Sequence, residues 1–326
     1  MRSRIVVPIL FTFVVIAVAA AIVLDLIYHW TAYPHRIGTL TQAQIVGLQK
    51  TLWDWLDLLL VPLVLAGGGL WFSRQERRSE RAIAERRAEE AALEAYLKQM
   101  TTLLLEKSLI DATPEDPVRD VARAWTLTVL RRVSGERKGV LLRFLQESSL
   151  ITAKNPIVML ADANLTSANL TDANLTDANL TDANLTDANL RGAKLVRARL
   201  TSAIMLDAKL ENALLRAAKL TSAKLTNADL LGADLTDANL RGANLRGANL
   251  ILAKLNSADL RGADLTSADL TSADLTFAKL NRAKLTAAKL TTAKLFGADL
   301  RGAAYSSQTV WPENFNLEEA GVEEAR

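Results

Sequence analysis

The residues that could do chemistry are few. The chain has 326 residues and no cysteine, which removes disulfides, thiolate metal ligands and the thiol nucleophile. Its two histidines, His29 and His35, have no third ligand nearby, so they do not amount to a metal site, and the commonest general base is scarce. Asp54 and Asp57 lie three apart in an apolar stretch, on one face of a helix. Carboxylates at membrane depth mark an ion or proton path, whereas the neighbouring Trp53 and Trp55 point to a water boundary. Arg131, Arg132, Arg137 and Lys138 form a basic cluster at a helix–loop–helix. Such a cluster suits phosphate or nucleic acid, or is the solvated face of a capping domain. There is no nucleophile–base or metal-ligand constellation in the sequence, and neither an enzyme activity nor a cofactor is expected.

The element that organises the chain is a repeat. Every fifth residue from Leu160 to Leu300 is Leu, with Met205 the exception, and Ala lies two before each Leu from Ala163 to Ala303. Units read Ala-Asn-Leu-Thr-Asp (Ala173 to Asp177) or Ala-Asp-Leu-Thr-Ser (Ala263 to Ser267). A fixed short period over this length means a solenoid. A helix would scatter the leucines and a flat strand would alternate them. A chain that turns a corner every five residues points them all inward, where one large and one small side chain fill a narrow bore. Adjacent coils of such a chain stack at strand spacing, about 4.8 Å.

This pattern resembles the pentapeptide-repeat family, whose motif is small–Asn/Asp–Leu/Phe–Ser/Thr–X. The resemblance implies an all-β, right-handed quadrilateral β-helix over residues 156–305 with four units per coil, preceded by an α-helical region. The stretch Leu103 to Ile151 resembles the helical segment before the repeats in bacterial membrane-tethered members, through Leu103-Leu-Leu-Glu-Lys107, Val118-Arg-Asp-Val-Ala-Arg123, Thr126-Leu-Thr-Val-Leu-Arg131 and Gly135-Glu-Arg-Lys-Gly139. Some members of the family imitate DNA and bind gyrase, which needs a strongly acidic rod. Residues 156–305 hold 15 acidic and 18 basic side chains, so DNA mimicry is disfavoured. Interleaved Asp and few aromatics also make nucleic acid a poor partner.

Residues twenty apart should stack. One series reads Leu214, Asp234, Lys254, Asp274, Lys294 and another Lys219, Asn239, Asp259, Lys279, Asp299. Opposite charges then meet between coils, each pair contributing about 0.2–1 kcal/mol, and the surface compensates itself. Outward apolar residues stand apart from this. Leu231, Ile251 and Leu252 should share one face, and Phe277 and Phe296 should be neighbours on another. Contiguous apolar patches mark contact sites, so these five residues are the candidate contact surface for an unidentified protein partner.

Apolar length dominates the N-terminal region. Ile5 to Leu24 is twenty residues without a charge, long enough to span a bilayer. A second apolar segment comes after it, so residues 1–72 read as an anchor of two transmembrane helices, about 5–28 and 53–72. The arginines after Phe72 place the remainder of the chain in the cytoplasm by the positive-inside rule. An integral membrane protein of the inner or plasma membrane, with lipid as one partner, is expected. Asp54 and Asp57 are then its candidate intramembrane polar residues, and an accessory or sensing part in a membrane system is a second functional reading.

A long helix is expected from Ser73 to about Ile110. Its stripe Leu93, Tyr96, Leu97, Met100, Leu103, Leu104 either packs within the domain or makes a homo-oligomer. Asp116 and Pro117 open another helix, and residues 73–152 form a cap on the first coil. At the far end, residues 306–326 form a cap and tail in which Trp311 and Phe315 fold over the last coil. Residues beyond Leu317 are expected to be disordered.

Overall fold

The five-residue period closes into coils because each unit contains one tight turn. In the computed structural model, which describes residues 52–151 and 156–325, Ala163 N–H donates to Leu160 O at 3.1 Å, and this i to i+3 bond recurs unit by unit. The residue two after each Leu has positive φ, as at Asp162 (63°), Ser167 (55°) and Gly192 (64°). A positive φ at the third residue of the turn is the mark of type II, and it explains why Gly, Asn, Asp and Ser dominate that position. The residue before each Leu adds a brace: Thr166 N–H donates to Asn164 Oδ1 at 3.2 Å and Thr236 N–H to Asp234 Oδ1 at 3.1 Å. These are Asx turns.

Four such units make a coil, and the next coil lies directly on it. Parallel bridges join residues 20 apart, from Asn164↔Asn184 to Lys284↔Ala304. Leu165 N–H donates to Asn184 O at 2.7 Å, and Asn184 N–H returns to Ala163 O at 2.9 Å. Leu and Ala of each unit point into the bore and are buried almost completely up to Leu290, with the partly buried Ala173 the exception. At about 1.5–3 kcal/mol for each buried leucine before entropy is subtracted, the bore holds itself together without metal or ligand.

The chain divides into two units at Glu80/Arg81. One continuous 55-residue helix, α1 (Leu52–Glu106), passes through the dividing point. A 3-10 turn, Leu109–Asp111, comes next, then α2 (Pro117–Arg132) and α3 (Gly135–Glu147). As expected, Asp116 caps α2, accepting from Val118 N–H at 3.0 Å, with Pro117 in the first turn. Tyr96, Met100 and Leu103 of α1 are buried in the same core as α2, α3 and the first coil. The stripe therefore packs within its own domain. Tyr96 OH lies 2.8 Å from Thr126 Oγ1, which itself donates to Ala122 O, so the tyrosine is the donor. Burial pushes its phenol well above the ordinary value of 10.0.

Two expectations fail. Among the described residues no helix is long and apolar enough to cross a membrane, which overturns the second expected span, 53–72, and the integral-membrane localisation. Residues 53–72 are the first part of α1. Their apolar run is broken by Asp54, Asp57, Pro62 and Gly67–Gly69, and the helix continues into the Arg/Glu-rich stretch. Asp54 and Asp57 fall in its first turns, but their side chains lie outside the described residues, as do His29, His35 and the first expected span, 5–28. Nor is the chain beyond Leu317 without order. It forms α4 (Leu317–Ala320), capped by Asn316, and β2 (Glu323–Glu324), which pairs in parallel with β1 (Ala304–Tyr305). The spacing is 21 at Lys289↔Val310 and 19 at Ala304↔Glu323, so the tail gains one residue by Val310 and drops two between Val310 and Glu323.

Candidate functional site

The first coil shows what its end requires. A β-helix end is a row of unpaired N–H and C=O groups around an apolar bore, and both must be covered. Helices α2 and α3 do this group by group. Asn169 N–H donates to Gly135 O at 2.9 Å and Asn174 N–H to Gln146 Oε1 at 3.0 Å. Arg123 donates to Ala161 O at 3.1 Å and Lys138 Nζ to Thr166 O at 3.0 Å. Close approach is possible because α3 presents glycine to the coil. A Cβ on Gly135 would lie 1.9 Å from Ser167 O, and one on Gly139 would lie 2.2 Å from Asn169 O.

This arrangement dissolves the basic cluster. Lys138 is 5% exposed, and burial lowers its pKa from the ordinary 10.5. Arg137 is held by Glu89 at 2.6 Å and Glu90 at 2.7 Å. Only Arg131 and Arg132 of the four remain exposed, so the cluster is a capping device in which two of the four cations are occupied.

The walls set opposite charges in register. Asp259, Asp264, Asp269 and Asp274 ring one coil, and Lys279, Lys284, Lys289 and Lys294 ring the next, each Lys bridged to an Asp. Lys289 lies 3.7 Å from Asp269 and Lys294 3.8 Å from Asp274. Arg197 reaches back one coil to Asp177 at 2.7 Å, and Arg191 reaches forward one coil to the buried Glu211. Arg261 and Arg301 fold onto Asp259 and Asp299 of their own units. Hydrogen bonds from Arg301 hold the Asp299 carboxyl well below its ordinary 3.8.

What this wall does not absorb is apolar. Leu231 and Ile251 stack on one corner, with Gly232 N–H to Ile251 O at 2.9 Å, and Leu252 beside them is 59% exposed. At the next corner along the coil Phe277 is 56% and Phe296 76% exposed. Their rings meet edge to face, centroids 5.6 Å apart. The Phe277 ring lies over Gly297, where a Cβ would come within 2.5 Å of it. The two corners border a single face, the one carrying Leu214, Asp234, Lys254, Asp274 and Lys294, rather than two separate faces.

Sequence reasoning missed one property of these corners. Leu252 and Phe277 both occupy the positive-φ position, at 59° each. Bulky residues are genuine outliers there, and such strain clusters at functional positions. The signal was present in the register, since both lie two after a repeat Leu, where most other units place Gly, Asn, Asp or Ser. At the far end Trp311 stacks on Phe315 with centroids 4.8 Å apart and meets Tyr305 edge to face at 6.0 Å, and both Trp311 and Phe315 pack against the bore.

Comparison with known proteins agrees with the ladder. The model of the pentapeptide repeats matches residues 160–195, 193–232, 233–271 and 268–303. No curated protein matches the chain. Among solved structures, it is similar to Rfr23, a pentapeptide repeat protein of the cyanobacterium Cyanothece 51142, at 40% identity over 28% of this chain and 63% of that one, TM-score 0.28. It thus spans less than two thirds of that relative's length. HetL of Nostoc sp. Strain PCC 7120, a pentapeptide repeat protein involved in heterocyst differentiation regulation, is 39% identical over 45% of this chain and 73% of that one, TM-score 0.22. The pentapeptide repeat protein alr5209 of Nostoc PCC 7120 is 41% identical over 34% and 84%, TM-score 0.21.

Proposed function

The chain belongs to the pentapeptide-repeat family, and on that premise we propose that it is a non-catalytic interaction scaffold whose β-helix presents a rigid face to a protein partner. The observation that carries this is the pair of apolar corners at Leu231, Ile251, Leu252 and at Phe277, Phe296, on a wall that is otherwise polar and charged. Exposed aromatics on a fixed backbone make contact area at little conformational cost. Leu252 and Phe277 hold positions that Gly or Asn would fill with less strain, which favours a role outside the fold itself. Trp311 and Phe315 close the far end of the bore.

Affinity capture from cells tests this reading. The double variant Phe277→Asn with Phe296→Ser should lose a specific protein that the parent chain retains, at unchanged melting temperature. An identical set of retained proteins would contradict it.

A further inference from the structure

The wall of the β-helix is open on one side of its last coil. In earlier coils the N–H of each Leu, and that of the residue two after it, donate to the following coil, while the Ala two before accepts from it. In the last coil the tail meets these needs over part of the perimeter. Leu285 N–H reaches Ala304 O, Leu290 N–H reaches Val310 O and Gly302 N–H reaches Gly321 O. The N–H groups of Thr292, Leu295, Gly297 and Leu300, and the carbonyls of Ala293 and Ala298, have no partner among the described residues. From Trp311 to Ala320 the tail crosses this half-turn as an aromatic stack and α4, without a backbone bond to it. Leu295 and Ala298 are accordingly half-buried, unlike their counterparts in earlier coils. Phe296 stands at the same place.

We propose that this open edge takes an extended segment of a partner protein as an added β-strand, with a carboxylate over Lys294 and a leucine over Leu295. This rests on the reading of the Phe277–Phe296 corner as a contact surface and names the form of the partner. Unpaired N–H and C=O groups at ladder spacing are met by another backbone, and edge strands are the usual place for such addition. The charge comes from the chain's own stacking rule. Asp274 is bridged above Lys254 and Lys294 above Asp274, so the next residue in that series is acidic. The Lys294 side chain is 71% exposed and holds Asp274 of the coil below only at 3.8 Å. Over Asp299 an Asn suits, as Asn249 Nδ2 donates to Asp229 Oδ1 at 2.9 Å one coil below it. A second copy would instead bring Lys279, Arg282, Lys284, Lys289 and Lys294 against themselves, since no acidic residue lies between Phe277 and Ala298.

The test uses the full chain and a fluorescein-labelled octapeptide, Ala-Asp-Leu-Thr-Gly-Ala-Asn-Leu, whose residues would lie over 293 to 300. In the ladder its Asp and Asn N–H groups donate to Ala293 O and Ala298 O, while the N–H of its first Leu points away. Anisotropy should show saturable binding. N-methylation at Asp or Asn should weaken it at least about tenfold, the worth of one well-made hydrogen bond, and N-methylation at the first Leu by less than about threefold on the same scale. Amide exchange at Leu295 and Gly297 should slow when the peptide is added. No saturable binding, equal loss at all three N-methyl positions, or edge amides already protected in a dimer without peptide would each overturn the proposal. Failure of the peptide with partner capture through Phe277 and Phe296 intact would sink the added strand alone. Unchanged capture by the double variant would sink the contact reading whatever the peptide did.

Discussion

Replacing Gly139 by Ala should loosen the N-terminal cap, although helix propensity alone says the opposite. In an ordinary helix Gly→Ala gains about 1 kcal/mol. Here the new Cβ would sit 2.2 Å from Asn169 O and 3.3 Å from the carbon of that carbonyl. Both belong to a coil fixed by the next one, so α3 must withdraw. Overpacking of this kind costs about 1–3 kcal/mol. Withdrawal also stretches the Asn169-to-Gly135 and Asn174-to-Gln146 bonds, about 1 kcal/mol each. Against the propensity gain, the net loss is about 2–4 kcal/mol, from the same estimates. Gly68→Ala is the control, because nothing lies within 4 Å of a Cβ there, and it should be neutral or slightly stabilising. Since stacked repeats need not unfold in one step, the assay is site-resolved hydrogen exchange at Asn169 and Asn174, beside thermal circular dichroism. Unchanged protection at both amides, or a melting temperature raised as in the control, would refute the reasoning.

Three further outcomes rest on the same geometry. Leu252→Asn should leave stability unchanged or raise it by up to about 1 kcal/mol, because Asn accepts positive φ more readily; denaturant titration measures this, and a clear loss would show that Leu252 packs rather than waits. Asp264, Asp269 and Asp274 are pushed up by burial but brought net below 3.8 by hydrogen bonds from Thr266, Thr271 and Thr276, with help from Lys284, Lys289 and Lys294. A folded pKa below the unfolded one means stability that is complete above the ordinary value and lost as pH falls through the depressed values; the melting temperature should therefore fall on acidification from about pH 5 to about pH 3, and a flat profile would contradict this. Trp311→Ala should cost about 1–2 kcal/mol, a fraction of the loss for a fully buried Trp, and should raise amide exchange at Leu290; unchanged exchange there would show that the stack does not close the bore.

The inward set of the bore was legible because a five-residue period fits neither helix nor flat strand, while the four-sided coil followed from the resemblance to the family. Opposite charges at Asp274 and Lys294 could be paired from the same register. The cap was harder to read. Gly135 and Gly139 are four apart, yet only the coil beneath them shows that their missing side chains are the contact, and Arg137 and Lys138 look free until Glu89 and Thr166 are placed. Apolar length misled at residues 53–72, where α1 runs on through its charged stretch with no boundary. The order beyond Leu317 was hidden because Glu323 and Glu324 are poor strand formers that pair through backbone alone, and the open edge at 292–300 depends on where the tail goes, which no local pattern encodes.

Whether the apolar corners meet a protein is tested most directly by photo-crosslinking in cells from position 296, with Ser267 on the diagonal corner as control. A reproducible adduct to one protein is expected from position 296, absent from position 267 and lost with Phe277→Asn. Equal adducts from both positions, or none from position 296, would contradict a role for these corners in binding.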